Sequence, residues 1–169
     1  VERLLMMYYD DPKLMHDIGN HLADIWLAIL EQVVSSVELD CVYLWEDMAY
    51  KGGPLLSPRM FAEFIAPHYK RITGFLRAHG VDVICVDCDG DLRSLIPEFL
   101  KAGVNGFFPF EVNAGMDVVE IRKSYPQLII QGGIDKMKLA EGREAIDAEL
   151  AARLPVLATG GYIPYVDHA

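Results

Sequence analysis

Carboxylates recur along the chain, each time just after a short run of apolar, β-branched or aromatic residues: Glu46-Asp47, Asp87-Cys88-Asp89, Glu111, Asp135 at the end of Gln131-Gly132-Gly133-Ile134-Asp135, and Asp167-His168. Parallel α/β folds build their sites beyond the C-terminal ends of the strands, so these groups converge on one mouth if the strands lie side by side. A single Asp after a strand also serves as a turn or capping residue, and Asp89 or Asp91 could cap a helix starting at Leu92. Glu46, Asp47 and Glu111 have no such local duty. Strand alternation puts Val83, Cys85, Asp87 and Asp89 on one face and turns Ile84, Val86 and Cys88 away. Two carboxylates that close repel, which suits them to share a proton or a cation, and hence to general acid/base work or metal binding.

Other reactive residue types give weaker patterns. Cys88 has no adjacent His and faces away from the acids, against a role as nucleophile. His168 is placed to act as proton donor, ligand or anion contact, or as a loop histidine bonded to backbone. His16 and His21 do not share a helix face, so they are no helical metal pair. Gly132-Gly133 and Gly160-Gly161 would let backbone approach a ligand, although tight turns explain them equally well, and neither belongs to a phosphate-cradling motif.

The elements that must position these groups alternate. Asp11-Pro12 opens a helix whose apolar stripe is Leu14, Ile18, Leu22, Ile25, Ile29 and Val33. Ser57-Pro58 opens another, with Phe61, Phe64, Ile65, Tyr69, Ile72 and Leu76 as its stripe, Pro67 as a kink and Gly80 at its end. A third is expected from Leu92 to Ala102, a fourth from Asp117 with Glu120 completing a capping box, and a last one carries Ile146, Leu150 and Leu154. Between them lie strand-like runs at Cys41–Trp45, Val81–Val86, Gly106–Pro109, Leu128–Gln131 and Tyr162–Pro164. Such alternation means a parallel sheet with right-handed crossovers. Periodicity alone does not separate a barrel from a doubly wound open sheet.

Composition bounds the rest. The chain has 169 residues, 52% of them hydrophobic, and a net charge of −10. Its acidity argues against a nucleic-acid partner, and no apolar run reaches the roughly 18 residues of a membrane span. Three cysteines form no even framework and fit a reduced, cytoplasmic protein. Residues 1–169 are expected to form a single domain. A complete (β/α)8 barrel takes about 250 residues, so the chain reads as a partial barrel truncated at both ends. Stable alone, such a piece would expose sheet edges and is expected to form a homo-oligomer.

Leu44-Trp45-Glu46-Asp47-Met48-Ala49-Tyr50 followed by Ser57-Pro58 and Phe61 to Tyr69, Asp87-Cys88-Asp89-Gly90, Ala102 to Pro109, Ala114-Gly115-Met116-Asp117, Gly132-Gly133-Ile134-Asp135, and Gly160-Gly161-Tyr162 up to Asp167-His168 together resemble the second half of the uroporphyrinogen decarboxylase superfamily. The resemblance implies an α/β fold, the C-terminal part (about five strands with their helices) of a distorted (β/α)8 TIM-type barrel. It implies an enzyme acting on a small-molecule substrate: a methyltransferase or demethylase linked to a corrinoid on a partner protein, or a decarboxylase that needs no cofactor. Corrinoid-linked members hold zinc through a His-x-Cys pair before a Gly. Here Asp87 and Asp89 stand in those places, which points to a divalent metal held by Glu46, Asp87, Asp89 and His168, either zinc or a harder cation. Asp47 replaces a small hydroxyl residue of the decarboxylases, whereas His168 matches a site position they share. The resulting assignment is Asp47, Asp87, Asp89 and His168 for catalysis, and Trp45, Glu111, Gly132, Gly133 and Asp135 for substrate binding. Corrinoid-linked methyl transfer leads on this reading, with uroporphyrinogen decarboxylation and a catalytically silent scaffold as alternatives.

Overall fold

A computed structural model describes residues 1–166. The chain divides into two compact units, the first made of Val1–Val42, Leu55–Ile84 and Leu95–Val104, the second of Tyr43–Pro54, Cys85–Ser94 and the chain from Asn105 onward.

The first unit is helical. Helices α1 (Glu2–Asp10) and α2 (Pro12–Val34) meet at Asp11, whose carboxylate accepts the Leu14 N–H at 3.0 Å. Ser57 caps the short turn α3 (Pro58–Met60) by accepting the Met60 N–H at 3.2 Å. The chain then widens into one π-turn, Phe61–Ile65, before resuming as α4 (Ala66–Ala78). Pro67 explains the widening, because it has no N–H to donate to the preceding turn and its ring crowds a carbonyl there. The expected kink is thus a π-bulge. Phe61, Tyr69 and Phe99 form the aromatic centre of this unit, with ring centroids 4.5 to 6.1 Å apart.

Two expectations shift here. The helix expected from Leu92 is α5, Ile96–Lys101. Pro97 sets its start, and the preceding residues are drawn into a turn in which the Arg93 N–H donates to Asp91 at 3.1 Å. On α2 the buried residues are Met15 and Ala23, while Leu14, Ile18, Leu22, Ile25 and Ile29 stay exposed. The packing line runs through the small residues because Gly19 meets the His68 ring: a Cβ there would lie 2.3 Å from Nε2.

The second unit carries the sheet. Strands β1 (Cys41–Trp45) and β4 (Val83–Asp87) run into it from the first unit. They are joined by β5 (Gly106–Phe110), β6 (Ile129–Ile134) and β7 (Tyr162–Val166), in the order β1-β4-β5-β6-β7. Ala49–Tyr50 and Gly53–Pro54 form a small antiparallel pair, β2 and β3, that the periodicity does not reveal. The pairs β4–β5, β5–β6 and β6–β7 are parallel. Strand order follows chain order without reversal. A doubly wound sheet would reverse at a switch point, so this is the winding of a partial (β/α)8-type barrel.

Register sorts the side chains. Val86 pairs with Phe107, Phe107 with Ile130 and Ile130 with Tyr162, a row whose exposure is 0, 0, 0 and 7%. We call this the outer face. It is the side of α6 (Val118–Ser124) and α8 (Arg143–Leu157), which contribute the buried Val118, Ile121 and Val156. Asp117 caps α6, accepting from the Val119 and Glu120 N–H groups, but its own N–H donates to the Gly115 carbonyl and Glu120 pairs with Lys123, so the expected capping box is only half formed. One residue further along each strand lies the inner row: Asp87 opposite Phe108, then Gln131 opposite Ile163.

Candidate active site

The strand ends are tied together beyond the ladders. The Glu46 N–H donates to the Asp87 carbonyl at 2.7 Å, and the Cys88 N–H donates to the Phe108 carbonyl at 2.7 Å. Glu46-Asp47 and Asp87-Cys88-Asp89 are thereby neighbours at one rim of the sheet, with Asp87 on its inner face. Asp87 and Asp89 are both half-buried and flank the fully buried Cys88, matching the alternation expected of them. Trp45 projects 82% exposed at this rim, and its indole N–H donates to Asp47 at 3.2 Å.

Several expected site residues carry structural duties. Glu111 accepts the Gly90 N–H at 3.0 Å, bracing the loop after β4 against the loop after β5. The same loop is pressed on the β2–β3 pair, for a Cβ at Gly90 would lie 2.5 Å from Tyr50 Cα. Arg93 grips both Asp91 oxygens at 2.8 and 2.6 Å and holds that carboxyl below its ordinary range. Gly132 and Gly133 lie within β6 rather than after it, both with positive φ. A Cβ on Gly132 would meet the Phe110 nitrogen at 2.5 Å, and one on Gly133 the Val118 side chain at 2.3 Å, so close packing already demands glycine at both. Asp135 caps α7 (Lys136–Ala140) by accepting the Met137 N–H at 2.9 Å, and its own N–H donates to Glu149 at 3.1 Å.

The thiol at the centre of the acidic run is buried. Burial pushes Cys88 up to about 11; the Met48 and Ala49 amides oppose that shift, and the neighbouring Asp47 and Glu46 charges add to it. A thiol held protonated at neutral pH is not a ready nucleophile. Among the described residues no three His, Cys, Asp or Glu side chains gather in a way that could hold a metal ion. The described donors therefore do not fit the thiolate zinc centre of the corrinoid-linked relatives. His168, expected both as catalyst and as metal ligand, lies outside the described residues.

The sequence reading missed the inner face below the rim. Tyr43, Phe108, Gln131, Ile163 and Tyr165 line it, and the Tyr43 hydroxyl donates to Gln131 Oε1 at 2.6 Å. Alternation in β1, where Cys41, Tyr43 and Trp45 share a face, was the signal available for it.

A singly wound parallel sheet, helices on its outer face and acids at the C-terminal rim define an α/β fold of the barrel class. Residues 1–168 match the family model described as "Uroporphyrinogen decarboxylase (URO-D)", and the chain belongs to this family. It is also similar to a protein named uroporphyrinogen decarboxylase from Nocardia farcinica (strain IFM 10152), 28% identical over 184 residues that take in 99% of this chain and 46% of that protein. The chain thus spans about half the length of the curated relative it matches. No helix among the described residues is long and apolar enough to cross a membrane.

Proposed function

We propose that the rim formed by Glu46, Asp47, Asp87 and Asp89 serves acid/base chemistry in a decarboxylase acting on a carboxylated tetrapyrrole. The observation that carries this reading is the 2.7 Å bond from the Glu46 N–H to the Asp87 carbonyl, which sets two acidic segments side by side at the C-terminal rim. The name of the Nocardia relative supports the choice of reaction. In such a reaction the bond between a side-chain methylene and its carboxylate carbon breaks. CO2 leaves, and the electron pair stays on the methylene carbon, delocalised into the pyrrole ring. A carboxylic acid at the rim then delivers a proton to that carbon and regains one from solvent.

Two carboxylates in adjacent segments suit this task, since one can hold the proton while the other stays charged. Anaerobic incubation of the full-length protein with uroporphyrinogen III, followed by chromatography of the oxidised products, tests the proposal. The expected outcome is stepwise loss of carboxylates, with Asp87→Asn lowering kcat by about 10²–10⁴-fold. Failure of the full-length protein to release CO2 would sink it.

A second reading, methyl transfer to a corrinoid carried by a partner protein, draws on the position of Asp87 and Asp89 where corrinoid-linked relatives place their ligand pair. Formation of methylcobalamin from a methylated donor, in place of CO2 release, would support that reading instead.

A further inference from the structure

The inner face of the sheet carries a polar pair that the acid/base rim does not use. Tyr43 stands on β1 and Gln131 on β6, three strand steps apart. In a flat sheet those steps span about 14 Å, yet the tyrosine hydroxyl reaches Gln131 Oε1 at 2.6 Å. The sheet therefore curls towards these side chains, and the inner face is its concave side.

Around the pair lies an open aromatic surface. Tyr43 and Phe108 meet edge to face at 6.5 Å, and Phe108 and Tyr165 at 5.7 Å. Tyr43, Ile163 and Tyr165 are 44, 50 and 49% exposed. Asp87 pairs in register with Phe108 and so borders the same surface.

The hydrogen-bond inventory of Gln131 then becomes informative. Its carbonyl oxygen takes the Tyr43 hydroxyl, which fixes the amide plane and leaves the NH2 group with two donors. That NH2 makes no hydrogen bond to a protein group among the described residues. A neutral NH2 donor fixed in an aromatic floor suits an acceptor oxygen carried on a flat ring system.

We propose that Gln131, oriented by Tyr43, selects a carboxylate or carbonyl oxygen on a planar unsaturated ring lying over Phe108, Ile163 and Tyr165. Gln131 is thereby a specificity-determining residue and Tyr43 its positioning residue. The inference rests on reading this face as the substrate side of the site, and it is independent of which bond is broken there.

Fluorescence titration of the full chain with coproporphyrin III, a planar tetracarboxylate, tests it by binding alone. Saturable binding is expected for the unaltered chain. Gln131→Glu keeps an acceptor for the Tyr43 hydroxyl but removes both donors, and it should weaken binding about tenfold or more. Tyr43→Phe frees the amide plane and should weaken it severalfold. Each variant is checked by urea unfolding, so that a purely structural role would move the midpoint and leave the affinity of the folded fraction unchanged. The proposal is overturned if the unaltered chain does not bind, or if the folded Gln131→Glu and Gln131→Leu variants bind as tightly as it does. Binding that responds to these changes without CO2 release from uroporphyrinogen would remove the decarboxylase reading and leave this one standing.

Discussion

One residue step along each strand separates the two faces of the sheet. Val86, Phe107, Ile130 and Tyr162 make the outer row, and their successors Asp87, Phe108, Gln131 and Ile163 make the inner one. The outer row is closed against helices and nearly free of polar atoms, with the Tyr162 hydroxyl as its exception. The inner row mixes an acid, an aromatic ring, an amide and an exposed aliphatic side chain. A slip of one residue would exchange the rows, burying Asp87 and Gln131 and exposing Phe107 and Ile130, so the outer row fixes the register on which the inner row depends. Burial specifies the fold on one side and thereby leaves residue types on the other side free to carry chemistry.

The largest test of this contrast compares adjacent phenylalanines. Phe107 is fully buried, and Phe107→Ala should cost about 3–5 kcal/mol through lost transfer energy and a residual cavity. Phe108, half-buried on the inner face, should cost about 1 kcal/mol when changed to Ala, since water already reaches its surroundings. Urea unfolding of the two variants measures both. Equal losses would mean that the inner face is as much a part of the core as the outer.

A glycine offers the next test. At Gly133 a Cβ would stand 2.3 Å from Val118 Cγ1, on a backbone with φ of +77°. Gly133→Ala therefore combines backbone strain with a clash on α6 and should cost about 2–3 kcal/mol. Gly160→Ala meets strain alone, with φ of +74° and nothing within 4 Å, and should cost about 1 kcal/mol. The double change Gly133→Ala with Val118→Ala should be less destabilising than the sum of the two single losses, because the clash is shared. Strict additivity would show that the glycine is there for its backbone and not for contact with α6.

How much of this was legible beforehand depends on the range of the signal. The helix starts at Asp11, Ser57 and Asp117 and the break at Pro67 are local, set by caps and by a missing N–H, and each stands where the sequence places it. Strand ends are less local. Asp87 and the run Gly132–Ile134 belong to strands because partners extend the ladder, as in the pairing of Asp87 with Phe108 and of Gly133 with Tyr165. The two-residue strands β2 and β3 are too short to show a period at all. On α2 the apolar residues outnumber one face, and the choice of Met15, Gly19 and Ala23 as the packing line is made by what packs on them. Strand order, which separates a barrel from an open sheet, has no local signature.

The site follows the same rule. Its acids could be named because each follows a strand, but the brace from Glu111 to Gly90 spans 21 positions in sequence, and the bond from Tyr43 to Gln131 spans 88. Nothing near either residue announces such a partner. What alternation does announce is the face, and β1 already shows Tyr43 and Trp45 sharing one.

The smallest expected effect lies in the tyrosines, which occur on both faces. Tyr162, in the outer row, donates its hydroxyl to the Gly132 carbonyl at 3.0 Å. Burial pushes its pKa up to about 12; Glu149 adds to the shift and Arg153 opposes it. A phenol whose folded pKa exceeds its unfolded value contributes stability below the unfolded value, near 10, and loses it as pH rises towards the folded one. Between about pH 10 and 12 the unfolded chain releases a proton that the folded chain retains, so stability should fall across that window. Tyr162→Phe removes this share of the alkaline slope and costs roughly 1 kcal/mol at neutral pH for the lost hydrogen bond. Tyr165→Phe, on the exposed inner face, should leave the neutral stability unchanged. Urea midpoints for the three proteins from pH 7 to 11 measure the difference. If Tyr165→Phe lowers the neutral midpoint as much as Tyr162→Phe does, the inner face is closed to solvent, and the surface assigned to substrate belongs to the core.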